Sequence, residues 1–391
     1  MENTVCSNAD RVSNKFIELF GETPRLFRSP GRINLIGEHT DYNQGFVLPA
    51  SLDKAVFFAI TPRKDNRVIL HAVDLDETYE FTLDDLSKPE QTWAYYQLAV
   101  VDQLHKNGYS IGGFQTAFGG DIPLGAGMSS SAALECCLMF ALNELFGLGL
   151  DRMEIVKLAQ KSENQYVGVQ SGIMDQFASV FGKEESVIRL DCRSLDYEYF
   201  PFPMNEYLLV LCDTNVKHSL ASSEYNTRRK ECEAGVAIFQ KYHPDVQSLR
   251  DATPAMVEQH REELGDVIYR RCKYVTEEIV RVQEACELLL QGDLASFGAK
   301  MYETHDGLQH EYEVSCEELD FLVDQTRSNP EVLGARMMGG GFGGCTINLI
   351  KNTAIEAFEQ QMKEAYQQAF SRDLPCYRVR IMDGTGEVHR I

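Results

Sequence analysis

The residues best placed to do chemistry stand close together between Arg28 and Tyr42, where the chain reads Arg-Ser-Pro-Gly-Arg-Ile-Asn-Leu-Ile-Gly-Glu-His-Thr-Asp-Tyr. Two arginines, a glutamate, a histidine and an aspartate in one turn-rich stretch make a poor apolar core, because burying each without a partner costs several kcal/mol, on the order of 2–7. They must face water, one another or a polar ligand. Carboxylates accept from hydroxyls and imidazole can donate or accept, so a sugar suits the set.

A second constellation is Pro123-Leu-Gly-Ala-Gly-Met-Ser-Ser-Ser-Ala-Ala-Leu-Glu135, with Gly125, Ala126, Gly127 and Met128 just before a run that continues as helix. Glycines let main-chain amides converge on an anion, and a helix start adds unpaired N–H groups and partial positive charge. Ser129, Ser130 and Ser131 can cap that helix, donate to phosphate oxygens or ligate a metal. The loop has neither the Gly-Lys-Ser/Thr of a Walker loop nor the third glycine of a dinucleotide fingerprint. Taken alone, a glycine turn with a serine cap is the commoner meaning of such a pattern. A third segment, Gly334-Ala-Arg-Met-Met-Gly-Gly-Gly-Phe-Gly-Gly-Cys345, is either a tight hairpin or a backbone that approaches a ligand closely.

The elements that must carry these segments are legible from periodicity. Val12, Phe16, Ile17, Leu19 and Phe20 predict a helix over 10–20, stopped by Gly21. Runs at 47–62 and 67–81 predict strands and hairpins. Helices are predicted over 93–106, 130–146, 153–166, 224–242, 269–290, 294–308 and 354–370, with Gly292-Asp293 as a break. Strands are predicted at 114–118, 187–190, 207–211 and 346–350, and a last one follows the final helix. The fold class is α/β (α+β). The length of 391 residues fits two domains, 1–195 and 196–391, with the division placed by the proline and aromatic cluster between Asp191 and Pro203.

A formal charge of -22 opposes binding to nucleic acid or an anionic membrane, and no apolar run is long enough to cross a bilayer. The eleven cysteines lack paired zinc spacing and are expected to be reduced, buried small residues. The first residues have neither a basic flank nor an apolar stretch, so a cytoplasmic location is expected. A monomer is the expected state, with weak self-association left open.

The three motifs, in this order, resemble the GHMP family of small-molecule kinases, and the opening segment is similar to its galactokinase branch. The similarity continues through Gly172-Ile-Met-Asp-Gln-Phe177, Ser222-Ser-Glu-Tyr225 and Tyr312-Glu-Val-Ser-Cys-Glu-Glu-Leu319. It implies a two-domain fold with the active site in the interdomain cleft. It also implies transfer of the γ-phosphoryl group of MgATP to the anomeric hydroxyl of α-D-galactose, the entry to the Leloir pathway. On that resemblance Asp175 and Arg32 are the catalytic pair, and Glu38, His39, Asp41, Gly172 and Tyr225 bind the sugar with them. Trp93, with Tyr96 one turn on, faces adenine; Pro123, Gly125, Ala126, Gly127, Met128, Ser129, Ser130, Ser131 and Ala132 surround the phosphates. Ser130, Ser131 and Glu163 match the region that holds Mg²⁺. Thr92 stands where some relatives carry Arg, so an extra cationic contact to the nucleotide is not expected.

Two rivals accompany this reading. One is a kinase for a related sugar, such as N-acetylgalactosamine or L-arabinose. The other is a non-catalytic galactose sensor, disfavoured by the uninterrupted Ser129-Ser-Ser-Ala-Ala133 and by the presence of both Arg32 and Asp175.

Overall fold

The computed structural model describes residues 2–123, 125–168, 172–217 and 221–389. In chain order the elements of the first half are α1 (Glu2–Phe20), β1 (Arg25–Asn34), β2 (Phe46–Val47), β3 (Pro49–Pro62), β4 (Arg67–Ala72), β5 (Glu77–Thr82), α2 (Tyr95–Lys106), β6 (Phe114–Gly120), α3 (Ser130–Phe146), α4 (Arg152–Ser162), α5 (Met174–Phe181), β7 (Ser186–Asp191) and β8 (Tyr197–Pro201). The second half has β9 (Tyr207–Lys217), α6 (Ala221–Phe239), α7 (Pro254–Gln259), α8 (Arg261–Gln291), α9 (Leu294–His310), α10 (Glu317–Thr326), β10 (Val332–Met337), β11 (Gly343–Lys351), α11 (Ile355–Phe370), β12 (Cys376–Val379) and β13 (Gly386–Glu387).

A six-stranded sheet in the order β13-β1-β3-β6-β4-β5 forms the first body, antiparallel except for the β4–β6 pair. Helix α1 covers one face through Val12 and Phe16, while Ile17 and Leu19 are exposed to solvent. The other face is covered by α3, which contacts β1, β3, α2, α4 and α5. Enclosure on all sides explains why α3 is apolar around its circumference instead of striped. The opening polar motif, expected to be turn-rich, is strand as far as Asn34: β1 is buried along both faces, and a bulge between Pro30 and Arg32 re-aims the chain.

The second body is an antiparallel sheet in the order β10-β11-β9-β12. Leu208, Val210 and Cys212 of β9 share a buried cluster with Leu322 of α10 and with Phe358, Met362 and Tyr366 of α11. A small sheet, β2-β7-β8, sits beside the two, and α8 reaches its β2 and β8. The β7–β8 hairpin runs from Ser186 to Pro201, so a division after residue 195 falls inside it. The C-terminal segment returns to the first body: Leu52 bridges Ile381, and β13 pairs with β1.

Short helices α5, α7 and α10 were not legible from periodicity, and α8 begins before the predicted start, across a kink at Gly265 where φ is 67°. The expected break between α8 and α9 is present, with Gly292 left-handed and the Asp293 side chain accepting from Ser296 N at 3.0 Å. Among the described residues no helix is long and apolar enough to cross a membrane, and the described cysteines are free, most of them buried.

Candidate active site

Strand β1 and helix α5 come together at Arg32 and Asp175. The guanidinium donates twice to one carboxylate, Nε to Oδ1 at 2.8 Å and Nη2 to Oδ2 at 3.0 Å, and Nη1 donates to Gly127 O at 2.5 Å. Arg32 N also donates to Met128 O at 3.1 Å. The glycine-rich loop is thus fastened to the strand that carries Arg32. Gly31 makes this approach possible, since a Cβ there would lie 2.7 Å from Met128 O. Burial opposes the charge on Arg32, but Asp175 first, then Glu38 and Asp41, hold its guanidinium above the ordinary arginine value. Ser129 Oγ donates to Asp175 Oδ2 at 2.5 Å. That residue occupies the cap position of α3 in a left-handed conformation, φ 54°, yet its hydroxyl makes no capping bond. The Ser129 hydroxyl is thus committed to the Asp175 carboxylate, a use outside the three expected of the serines.

On one side of the pair lies a polar recess. Glu38 is buried, and its Oε1 accepts from Arg336 Nη2 at 2.9 Å and from Gly339 N at 2.8 Å. Arg336 is itself wholly buried and also donates to the carbonyls of Asn34, Leu35 and Met337. His39, at φ 62°, packs among the rings of Tyr42, Tyr225 and Tyr312, and its Nδ1 lies 2.9 Å from Tyr42 Oη. Burial lowers its pKa to about 4, so the ring is neutral. Its buried Nε2 has no hydrogen-bond partner among the described residues. Asp41 opens a short 3₁₀ turn, Asp41–Asn43. Burial pushes its carboxyl up to about 6, opposed by the Tyr42 main-chain N–H and aided by the negative Asp175 and Glu38. Gly172 faces this carboxylate so closely that a Cβ would lie 2.0 Å from Oδ2.

On the other side a largely apolar cavity of about 440 Å³ is lined by Trp93, Tyr96, Phe118, Ser130, Ser131 and Leu134, among others. The indole is half-buried against Phe118, and its Nε1 donates to Glu77 Oε2 at 2.7 Å. Ser131 Oγ donates to Glu163 Oε1 at 3.0 Å, and Gln176 Nε2 donates to Glu163 Oε2 at 3.0 Å. Glu163 starts one turn of π-helix, Glu163–Val167, at the end of α4. The side chains of Ala126, Met128 and Ala132 are buried in the core, so any contact they make to a ligand is through the main chain. Pro123 and Gly125 flank the loop, and Leu124 lies outside the described residues. The glycine tract of 339–344 forms the β10–β11 hairpin and at the same time borders the recess, through Gly339 on Glu38 and Gly340 against Tyr225.

The fold therefore brings Arg32 and Asp175 together at the glycine loop, sets Asp41 and Gly172 on one cavity and Trp93, Tyr96, Ser130 and Ser131 on another, and leaves the side chains of Ala126, Met128 and Ala132 in the core. Sequence reasoning passed over Arg336, Tyr312 and Gln176, which hold Glu38, His39 and Glu163. A charged residue inside a glycine-rich β-hairpin was the available signal for Arg336. Gln176 sat unread beside Asp175 because α5 itself was not predicted.

A two-body fold, a glycine loop leading into a buried helix and an Arg–Asp pair at the loop define a GHMP-type small-molecule kinase. The descriptions that match the chain are GHMP kinases N terminal domain over residues 95–183 and GHMP kinases C terminal over 284–368, with the galactokinase galactose-binding signature over 14–62. Galactokinase from Roseiflexus sp. (strain RS-1) is 39% identical over 378 residues, 96% of each chain. Galactokinase from Thermotoga neapolitana (strain ATCC 49049) is 40% identical over 361 residues, 92% of this chain and 99% of that one. The structure of Lactococcus lactis galactokinase complexed with galactose superposes with a TM-score of 0.91 at 37% identity, covering 96% and 98%. Methanococcus jannaschii mevalonate kinase shares the fold, with a TM-score of 0.65 at 17% identity. The chain belongs to the galactokinase family.

Proposed function

We propose that this ATP-dependent sugar kinase transfers the γ-phosphoryl group of MgATP to the anomeric hydroxyl of α-D-galactose, giving galactose 1-phosphate and ADP. The observation that carries the reading is the two-pronged Arg32–Asp175 pair, tied to the glycine loop on one side and adjoining the hydroxyl-binding recess on the other. Phosphoryl transfer asks a protein mainly for positioning and charge neutralisation. In this arrangement Asp175 accepts from the attacking hydroxyl. Arg32 orients that carboxylate through its two hydrogen bonds and stabilises charge that develops on the transferring group.

The recess suits a hexose. Its neutral His39 has a buried, unpartnered Nε2, and Asp41 and Tyr225 add an acceptor and a hydroxyl. Glu38, fixed by Arg336, shapes the wall. A sugar with one hydroxyl misplaced leaves such buried groups unpaired, which is how a polar pocket tells epimers apart. ATP fits the second cavity, with Trp93 and Tyr96 beside the base and the loop amides and α3 N-terminus toward the phosphates. Ser130, Ser131 and Glu163 offer the oxygen donors that Mg²⁺ prefers, few in number as that ion requires. When bound, the ion supplies neutralisation of phosphate charge. A cytoplasmic location accords with the free thiols.

The test is ADP release with galactose, glucose, N-acetylgalactosamine and L-arabinose, run with and without Mg²⁺, on the parent and on Asp175→Asn. Galactose is expected to be the preferred acceptor, and the variant to lose roughly 10²–10⁴-fold in kcat. Galactose binding with no turnover by the parent would make this a sensor instead.

A further inference from the structure

The second sheet places two thiols against each other, away from the groups assigned above. Cys212 on β9 and Cys376 on β12 are register partners, and their Sγ atoms lie 3.8 Å apart. The neighbouring position fixes the kind of pair they form. Asp213 N donates to Pro375 O at 2.9 Å, which marks 213 and 375 as a hydrogen-bonded pair. Antiparallel pairs alternate, so Cys212 and Cys376 are a non-hydrogen-bonded pair, whose Cα atoms approach to about 4.5 Å with side chains at their closest. A disulfide spans Cα separations of about 4.4–6.8 Å. The strands are therefore already at cross-linking distance.

The two thiols differ in access and acidity. Cys212 is fully buried, whereas Cys376 is partly exposed on the edge strand of the sheet, beside a cleft of about 600 Å³ lined by Lys363, Asp373, Leu374 and Pro375. Contact with Cys212, then the positive Lys363 and Arg378, lower the Cys376 thiol below its ordinary value against the opposition of burial and Glu359. The same contact and burial push Cys212 well up. One cysteine is thus suited to react first and the other to resolve.

We propose that Cys212 and Cys376 form a reversible oxidative modification site, closed to a disulfide by a hydroperoxide. The Cys376 thiolate attacks the peroxide, forming an S–O bond as the O–O bond breaks and the leaving oxygen takes a proton. The sulfur of Cys212 then attacks the sulfur of the Cys376 sulfenic acid, forming the S–S bond as its S–O bond breaks, and the departing hydroxyl takes the Cys212 proton and leaves as water. Two thiols are oxidised, one peroxide is reduced, and a dithiol reductant reverses the change. The link would close a segment of sequence separation 164 and fix β12, from which the chain runs to Ile381, opposite Leu52, and on to β13 alongside β1.

The full-length protein is treated with hydrogen peroxide, its remaining thiols are alkylated, and its peptides are read by mass spectrometry. The expected product joins the Cys212 and Cys376 peptides and is lost with dithiothreitol. The oxidised protein should melt several degrees above the reduced form, as cross-links across long loops do. Cys376→Ser should give no linked peptide and no gain in Tm. Cys212→Ala should leave a sulfenic acid on Cys376 that dimedone traps. If peroxide leaves both thiols free in the parent, or takes Cys376 to sulfinic acid without the linked peptide, the proposal is wrong.

Discussion

Gly172→Ala isolates one contact in the sugar recess. The glycine has φ outside the left-handed region, so its torsion angles tolerate alanine, and space alone opposes the change. The added Cβ would lie 2.0 Å from Asp41 Oδ2, where real Cβ atoms essentially never come within 3.0 Å, so the carboxylate must retreat by about 1 Å. A misplacement of that size in a positioning group costs about 10²-fold in rate, or about 2.7 kcal/mol of transition-state stabilisation. The assay is kcat/KM for galactose at saturating MgATP, with a thermal melt to show that the fold is intact. Because the obstruction runs through Asp41, the double variant Gly172→Ala with Asp41→Ala should be no worse than Asp41→Ala alone. A single variant within threefold of the parent, or strictly additive losses in the double variant, would refute the placement of Gly172 as the residue that seats Asp41.

The remaining expectations use other parts of the site. Arg336→Met leaves Glu38 buried without its cation and should destabilise the protein by about 3–5 kcal/mol, read as a large fall in Tm; a Tm within two or so degrees of the parent contradicts the buried pair, where ~ 2–4 °C per kcal/mol is the scale for large domains. Trp93→Ala should weaken ATP by about 1–3 kcal/mol, seen as a higher KM for ATP at unchanged KM for galactose, and equal changes in both constants would place the indole in the fold instead. The Asp41 carboxyl, raised to about 6, predicts an acid limb in kcat/KM for galactose near that pH, falling about tenfold per unit below it. This limb is not unfolding by way of Asp41: its folded pKa exceeds the unfolded one, so ionisation destabilises the fold above pH 6 and that penalty disappears as the pH falls toward 4. A profile flat down to pH 5 argues that Asp41 does not read the sugar as a carboxylate.

Local signals carried far where the chemistry of a segment is local. The run of apolar residues after Ser129, bounded by Gly147, sets α3 to within a residue, because a helix start and stop depend on near neighbours. Polar residues crowded between Arg28 and Tyr42 announced a ligand, and two glycine-rich segments announced close main-chain approach. The resemblance to a kinase family then attached roles to them. Short helices such as α5 escaped, since eight residues give too few turns for periodicity to register, and the strand character of Arg28–Asn34 was hidden by burial on both faces.

What the sequence by itself determined is the inventory: which residues are polar where a core residue would be expected, where glycine frees the backbone, and which catalytic class they suit. Only the tertiary structure decided the partnerships. Arg32 and Asp175 are 143 positions apart, and Glu38 and Arg336 are 298 apart. No local rule relates such residues. Their encounter depends on β1 being packed against α3, on α5 starting beside it with Asp175 in its first turn, and on the β10–β11 hairpin bordering the recess. Buried charges persist only where a partner of opposite sign meets them, so the packing of distant elements determined which of the polar residues read from the chain became a pair at the reacting centre and which became its support.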